Sequence, residues 1–214
     1  MSRFTRIAEI GADGVLVERV KQEMGTLRHP PIADLALSLR DKYNLQTLIE
    51  TGTCLGNSTT WAAENFKKVI TIELNLEFLR QAFVTCKSHT NIDFLMGDSR
   101  ERLKDVVPAL ARPALFWIDA HGLNVFPAEN PIWGELCVIL ESPHKHFLLV
   151  DDANFYHVPF AEEGIPRAES LTLKDINSLI SVYGYAMWEA HDVLVVAPIS
   201  AADDIVKHLW VPYE

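Results

Sequence analysis

The stretch Leu48-Ile49-Glu50-Thr51-Gly52-Thr53-Cys54-Leu55-Gly56-Asn57-Ser58 constrains this chain more than any other. A short apolar run ends in an acidic residue, turns through two glycines and meets residues that open helices. After one helix length a second apolar run, Val69-Ile70-Thr71-Ile72, also ends in an acid, Glu73. Two such strands joined by a helix make a βαβ unit, whose ligands bind beyond the carboxyl ends of its strands.

The glycine spacing narrows the ligand. A dinucleotide fingerprint needs glycine at three fixed places, the second letting a pyrophosphate approach the backbone. With Gly52 as the first, Cys54 and Asn57 fill the other two. No Gly-Lys-Ser/Thr follows, so a phosphate-cradling loop is absent as well. An open turn without phosphate chemistry suits a nucleoside. Glu73 at a strand end can accept from both ribose hydroxyls, and Glu50 beside the turn can attract a cation. S-adenosylmethionine combines an adenosine, a sulfonium and an amino group, and so meets these requirements.

The pattern Glu50-x-Gly52-x-x-x-Gly56-x-Ser58 resembles motif I of the class I S-adenosylmethionine-dependent methyltransferases. In particular it resembles the small O-methyltransferases acting on catechols, caffeoyl thioesters and antibiotic sugars. The resemblance runs through Glu73, Asp98, Asp119, Asp151 and Asp152, over roughly residues 46 to 155. It implies a cofactor site of Glu50, Gly52, Thr53, Gly56, Asn57, Ser58, Glu73, Asp98, Ser99 and Asp119, with Asp98 on the adenine amino group.

Strand and helix signals alternate along the rest of the chain. Strands are expected at 47–51, 68–73, 91–96, 114–119, 146–150, 185–189 and 193–197. Helices are expected at 32–43, 58–66, 76–87, 100–107, 132–141, 171–182 and 201–209. Such alternation predicts an α/β fold: a Rossmann-like, doubly wound, mostly parallel seven-stranded sheet with helices on both faces. Only Ala190-His191-Asp192 separates the last two strands, so they form a hairpin and one strand runs antiparallel. The resemblance implies the same. Residues 1–31 are expected as an N-terminal helical segment, since Val15 to Met24 has helical spacing, and 32–214 as one domain. The N-terminal segment would pack over the substrate opening or against a second subunit, giving a homodimer.

Asp119 closes one apolar strand and Asp151-Asp152 another. Strands of this order are neighbours, so the three carboxylates can converge on one hard divalent cation, Mg²⁺ foremost. The alternative is that Asp152 caps the following loop and Asp119 shapes a turn. The resemblance adds that the antibiotic-sugar enzymes carry Asp-Asp at the paired position. His121, two residues beyond Asp119, titrates near neutrality and is the candidate proton acceptor, with His157 and Lys145 behind it. Asp119 joins it in the catalytic set. Tyr156 and Phe155 are candidates to meet a planar substrate, while Trp117, Trp133 and Trp188 read as core.

The formal net charge of −10 disfavours nucleic acid and anionic membranes as partners and suits a small hydroxylated substrate. No apolar run reaches membrane-span length, no signal-peptide core is seen, and the three cysteines lack metal spacing. A cytoplasmic setting fits. The expected function is methyl transfer from S-adenosylmethionine to a small-molecule hydroxyl, assisted by a metal. The rivals are a metal-dependent hydroxylase or hydrolase reusing the fold, and a non-catalytic cofactor-binding protein.

Overall fold

The computed structural model describes residues 5–10, 16–21, 26–120, 130–157 and 171–209. The chain opens with β1 (Thr5–Ile10) and β2 (Leu16–Lys21), an antiparallel hairpin in which Thr5 pairs with Lys21 and Ile10 with Leu16. This replaces the helix expected over Val15 to Met24. The segment is rich in β-branched residues, Val15, Val17 and Val20, and the sequence ahead of it carries glycines at 11 and 14, so strand chemistry wins.

The main fold follows as α1 (Ile32–Tyr43), β3 (Thr47–Thr51), α2 (Asn57–Asn65), β4 (Lys68–Glu73), α3 (Leu76–Thr85) and β5 (Ile92–Met96). Then come α4 (Ser99–Val106), β6 (Leu115–Ile118), α5 (Ile132–Leu140), β7 (Phe147–Val150), α6 (Leu173–Val182), β8 (Tyr185–Ala190), β9 (Val193–Pro198) and α7 (Ala202–Leu209). Seven strands form one sheet in the order β5-β4-β3-β6-β7-β9-β8. β3 to β7 are mutually parallel, and β9 is antiparallel to both β7 and β8.

Strand alternation feeds two cores. Ile49, Ile72, Phe116, Ile118, Leu148 and Val150 face α4, α5 and α6. Leu48, Val69, Leu115, Trp117, Phe147 and Leu149 face α1, α2 and α7. β6 and β7 are buried along their whole length, as central parallel strands covered on both faces must be. Leu27, ahead of α1, is fully buried in the second core. Strand order reverses between β3 and β6, and the crevice at such a reversal is where ligands of open α/β sheets bind.

Candidate cofactor and active site

The turn after β3 is set by the approach of β6. Gly52 has φ +84°, and a Cβ there would run into the Asp119 carbonyl. Only glycine fits both demands. The Gly52 N–H donates to Ile72 O (2.9 Å), and the Gly56 N–H donates to Thr53 O (2.9 Å), closing the turn into α2. Gly56, at φ +80°, is the α2 N-cap. Thr53, Gly56 and Ser58 are buried, whereas Asn57 is exposed.

Glu50 has no exposed surface. Its Oε2 accepts hydrogen bonds from Thr59 Oγ1 (2.5 Å) and Thr71 Oγ1 (2.6 Å). Burial pushes its carboxyl above the usual range, opposed by the Ser58, Thr59 and Thr71 hydroxyls. Glu50 therefore ties the first turn of α2 to β4. Thr59 and Thr71 were not singled out from sequence. A hydroxyl four residues apart on a helix or mid-strand carries no signal by itself.

Glu73 is the acceptor at the end of β4. Its Oε2 accepts from the Cys54 backbone N–H and its Oε1 from that of Asn75, both at 2.8 Å. A carboxylate has about four acceptor positions, so each oxygen keeps one for a diol. Asn75 in turn caps α3 through its side chain, accepting from Glu77 N and Phe78 N.

Asp98 serves two structural roles at the end of β5. It is the N-cap of α4, accepting from the Arg100 N–H (2.9 Å), so Ser99 is not needed as the cap. Its carboxylate also meets the Arg100 guanidinium, with Nη2 to Oδ2 at 2.6 Å and Nε to Oδ1 at 3.0 Å. This pairing holds the Asp98 carboxyl below its usual range. Ser99 is buried beside it.

β6 and β7 bring the three aspartates to one end of the sheet. The Asp119 N–H donates to Thr51 O (3.0 Å), and the Asp151 N–H donates to Ile118 O (3.0 Å). Burial, then the charges of Asp151, Asp152 and Glu50, raise the Asp119 carboxyl well above its usual range. Asp151 Oδ1 accepts from the Asp152 N–H (2.9 Å), and Asp152 adopts φ +53°. Among the described residues, no three His, Cys, Asp or Glu side chains are grouped closely enough to hold one ion. The carboxylates feel each other's charge without forming a preassembled ligand set. That donor chemistry suits a hard cation.

His121 lies outside the described residues, as does the side chain of Phe155. Tyr156 is not a substrate wall. It is 1% exposed, packs in the first core, and its hydroxyl accepts from Asn130 Nδ2 (3.3 Å). His157 pairs with Glu189 at the surface (2.7 Å), and Lys145 donates to Tyr183 O (2.7 Å). Trp117 is core as expected, but Trp133 is 43% exposed.

Sequence reasoning also passed over Glu135. It shares the α5 face of Ile132, Leu136 and Ile139 and is fully buried, with its carboxyl pushed up to about 7. A lone charge at the buried positions of an apolar helix was the available signal.

No helix among the described residues is long and apolar enough to cross a membrane. No family model and no curated protein matches the sequence. Solved structures do match. The O-methyltransferase TomG of Streptomyces achromogenes, in complex with S-adenosylmethionine, superposes with a TM-score of 0.59 at 15% identity. That match covers 79% of this chain and 80% of TomG. The O-methyltransferase of Bacillus cereus, in complex with S-adenosylhomocysteine, gives 0.55 at 17% identity, over 79% and 80% of the two chains. Together with the sheet order and its inserted antiparallel strand, these matches show that the chain has the class I methyltransferase fold.

Proposed function

We propose that this chain transfers a methyl group from S-adenosylmethionine to a hydroxyl of a small molecule. The observation that carries the reading is Glu73. Two backbone N–H groups fix its carboxylate beside the turn that follows β3 and leave acceptor positions for a ribose diol. The fold supports the same ligand, since both compared enzymes are complexes with the methyl donor or its product.

In this reading Glu73 holds the ribose, and the Gly52–Ser58 turn lies along the methionine end. Glu50 keeps the turn anchored to α2 and β4. The Asp98-Ser99 corner borders the base. The reaction is an in-line displacement: the acceptor oxygen bonds the methyl carbon as the carbon–sulfur bond breaks and its electron pair returns to sulfur. The hydroxyl proton passes to His121, and Asp119 lies beside it in sequence. Holding the two reactants in line is worth on the order of 7–11 kcal/mol in favourable models. No protein nucleophile is required.

The finer part of the proposal is a hard divalent cation, Mg²⁺, held by Asp119, Asp151 and Asp152. The mutual charge that raises the Asp119 carboxyl supports it. A cation there would supply Lewis acidity, lowering the pKa of an acceptor hydroxyl. Because the three carboxylates are not grouped as ligands, binding would require them to draw together.

Incubation with S-adenosylmethionine and a panel of catechols, phenols and sugars, read by mass spectrometry, tests the proposal. S-adenosylhomocysteine and a methylated hydroxyl are the expected products. Cofactor binding with no turnover on any acceptor would instead indicate a binding protein. An acceptor altered without S-adenosylhomocysteine would indicate a hydroxylase or hydrolase.

A further inference from the structure

α5 reaches beneath the base corner of the proposed site. Glu135 Oε1 and Oε2, Thr51 Oγ1 and Ser99 Oγ are all buried, and none makes a hydrogen bond of normal geometry among the described residues. Thr51 and Ser99 are nevertheless the hydroxyls that act on Glu135. Both hydroxyls oppose the upward push of burial on the Glu135 carboxyl, the Asp98 charge adds to that push, and the Arg100 charge opposes it. Tyr156 also feels the Glu135 charge. Thr51 ends β3, and Ser99 follows Asp98.

The preceding α5 residue makes a second hold. A Cβ on Gly134 would come within 3.0 Å of Arg100 Cγ and Cδ, so the Arg100 stem lies directly on the helix there. That stem carries the guanidinium paired with Asp98. α5 thus meets the corner 98–100 twice, through Gly134 outside and Glu135 beneath.

Buried polar atoms are tolerated when they satisfy one another. A neutral carboxyl can donate to one hydroxyl and accept from the other, whereas an ionised one only accepts and adds charge beside Asp98. We propose that Glu135 is a positioning residue for the base end of the cofactor site: its buried carboxyl, between the Thr51 and Ser99 hydroxyls, and the Gly134 contact with Arg100 together hold the corner 98–100 in place. The inference rests on the cofactor reading above.

Calorimetric titration of the full chain with S-adenosylhomocysteine, across pH, tests it. Glu135→Ala should raise Kd about tenfold, the equivalent of one lost hydrogen bond. Wild-type Kd should rise from about pH 6 to pH 8 as the carboxyl ionises, and Glu135→Gln, which both donates and accepts, should remove that rise. A merely structural glutamate would lower the melting temperature without this difference in pH profile. Should Glu135→Ala fail to fold, Ser99→Ala is expected to weaken binding instead. Matching pH profiles for wild type and Glu135→Gln, or wild-type affinity in a folded Glu135→Ala or Ser99→Ala protein, overturns the proposal. Failure of the wild type to bind at all would instead sink the cofactor reading, and this inference with it.

Discussion

His146 Nδ1 accepts a hydrogen bond from the backbone N–H of Ala114 at 3.1 Å, so the ring carries its proton on Nε2, toward Ser142 Oγ at 2.8 Å. The acceptor nitrogen joins the start of β6 to the start of β7. Burial, with the neighbouring His144 charge, depresses the ring's pKa from 6.5 to about 4. The folded chain resists a proton that the unfolded chain takes up at 6.5. Stability from this group is complete above pH 6.5, falls as pH drops, and is lost by about pH 4. A shift of this size corresponds to about 3 kcal/mol. Urea unfolding at pH 7, 5.5 and 4.5 should show that loss. His146→Asn, which keeps an acceptor for Ala114, should lose less stability over the same range.

Glu73→Ala should weaken S-adenosylhomocysteine binding by about 2–4 kcal/mol, since each charge-assisted bond to a ribose hydroxyl is worth about 1.5–3. Calorimetry reads this directly. Glu73→Gln should fall between, because its amide nitrogen must face either a ribose hydroxyl or the Cys54 or Asn75 N–H. Tighter binding of NAD than of S-adenosylhomocysteine would refute the ligand assignment.

Gly52→Ala should cost far more than Gly56→Ala. At position 52 the added carbon meets the Asp119 backbone, and the left-handed φ alone costs on the order of 1–3 kcal/mol. Position 56 shares the left-handed φ, but there the added carbon would lie 3.0 Å from Cys86 Sγ and 3.1 Å from Ala82 Cα and Cβ, a far milder overlap than at 52. Thermal melting of the two variants should rank them in that order, and Gly52→Ala should also lose cofactor binding.

If Asp119, Asp151 and Asp152 share a cation, melting temperature should climb with Mg²⁺ concentration by mass action. Asp151→Asn should flatten that climb. Chelator should stop methyl transfer while leaving S-adenosylhomocysteine binding nearly intact, because Glu73 and the Gly52 turn lie on other strands. Undiminished turnover in excess chelator, with the triple alanine variant still active, would remove the metal from the mechanism.

Much of this was written in local patterns. Short apolar runs ending in acids placed β3, β4, β6 and β7 within a residue or so, because buried parallel strands need continuous apolar sequence. The glycines at 11 and 14 and the β-branched Val15, Val17 and Val20 are equally local signals, but Leu16, Val20 and Met24 recur at helical spacing and mask the hairpin. The partnerships were not local at all. Nothing in the sequence says that Arg100 folds back onto Asp98, that Thr71 reaches Glu50 from another strand, or that Tyr156 turns inward. These depend on which elements the sheet order makes neighbours.

The order β7-β9-β8 has a consequence for the growing chain. β8 is made before β9, yet among the described residues it pairs with the sheet only through β9. Until Val193–Pro198 has left the ribosome, the fully apolar strand β7 is an unpaired edge, open to any other strand that reaches it. A nascent or truncated chain ending near residue 192 should therefore be prone to aggregate, with β9 acting as the clasp.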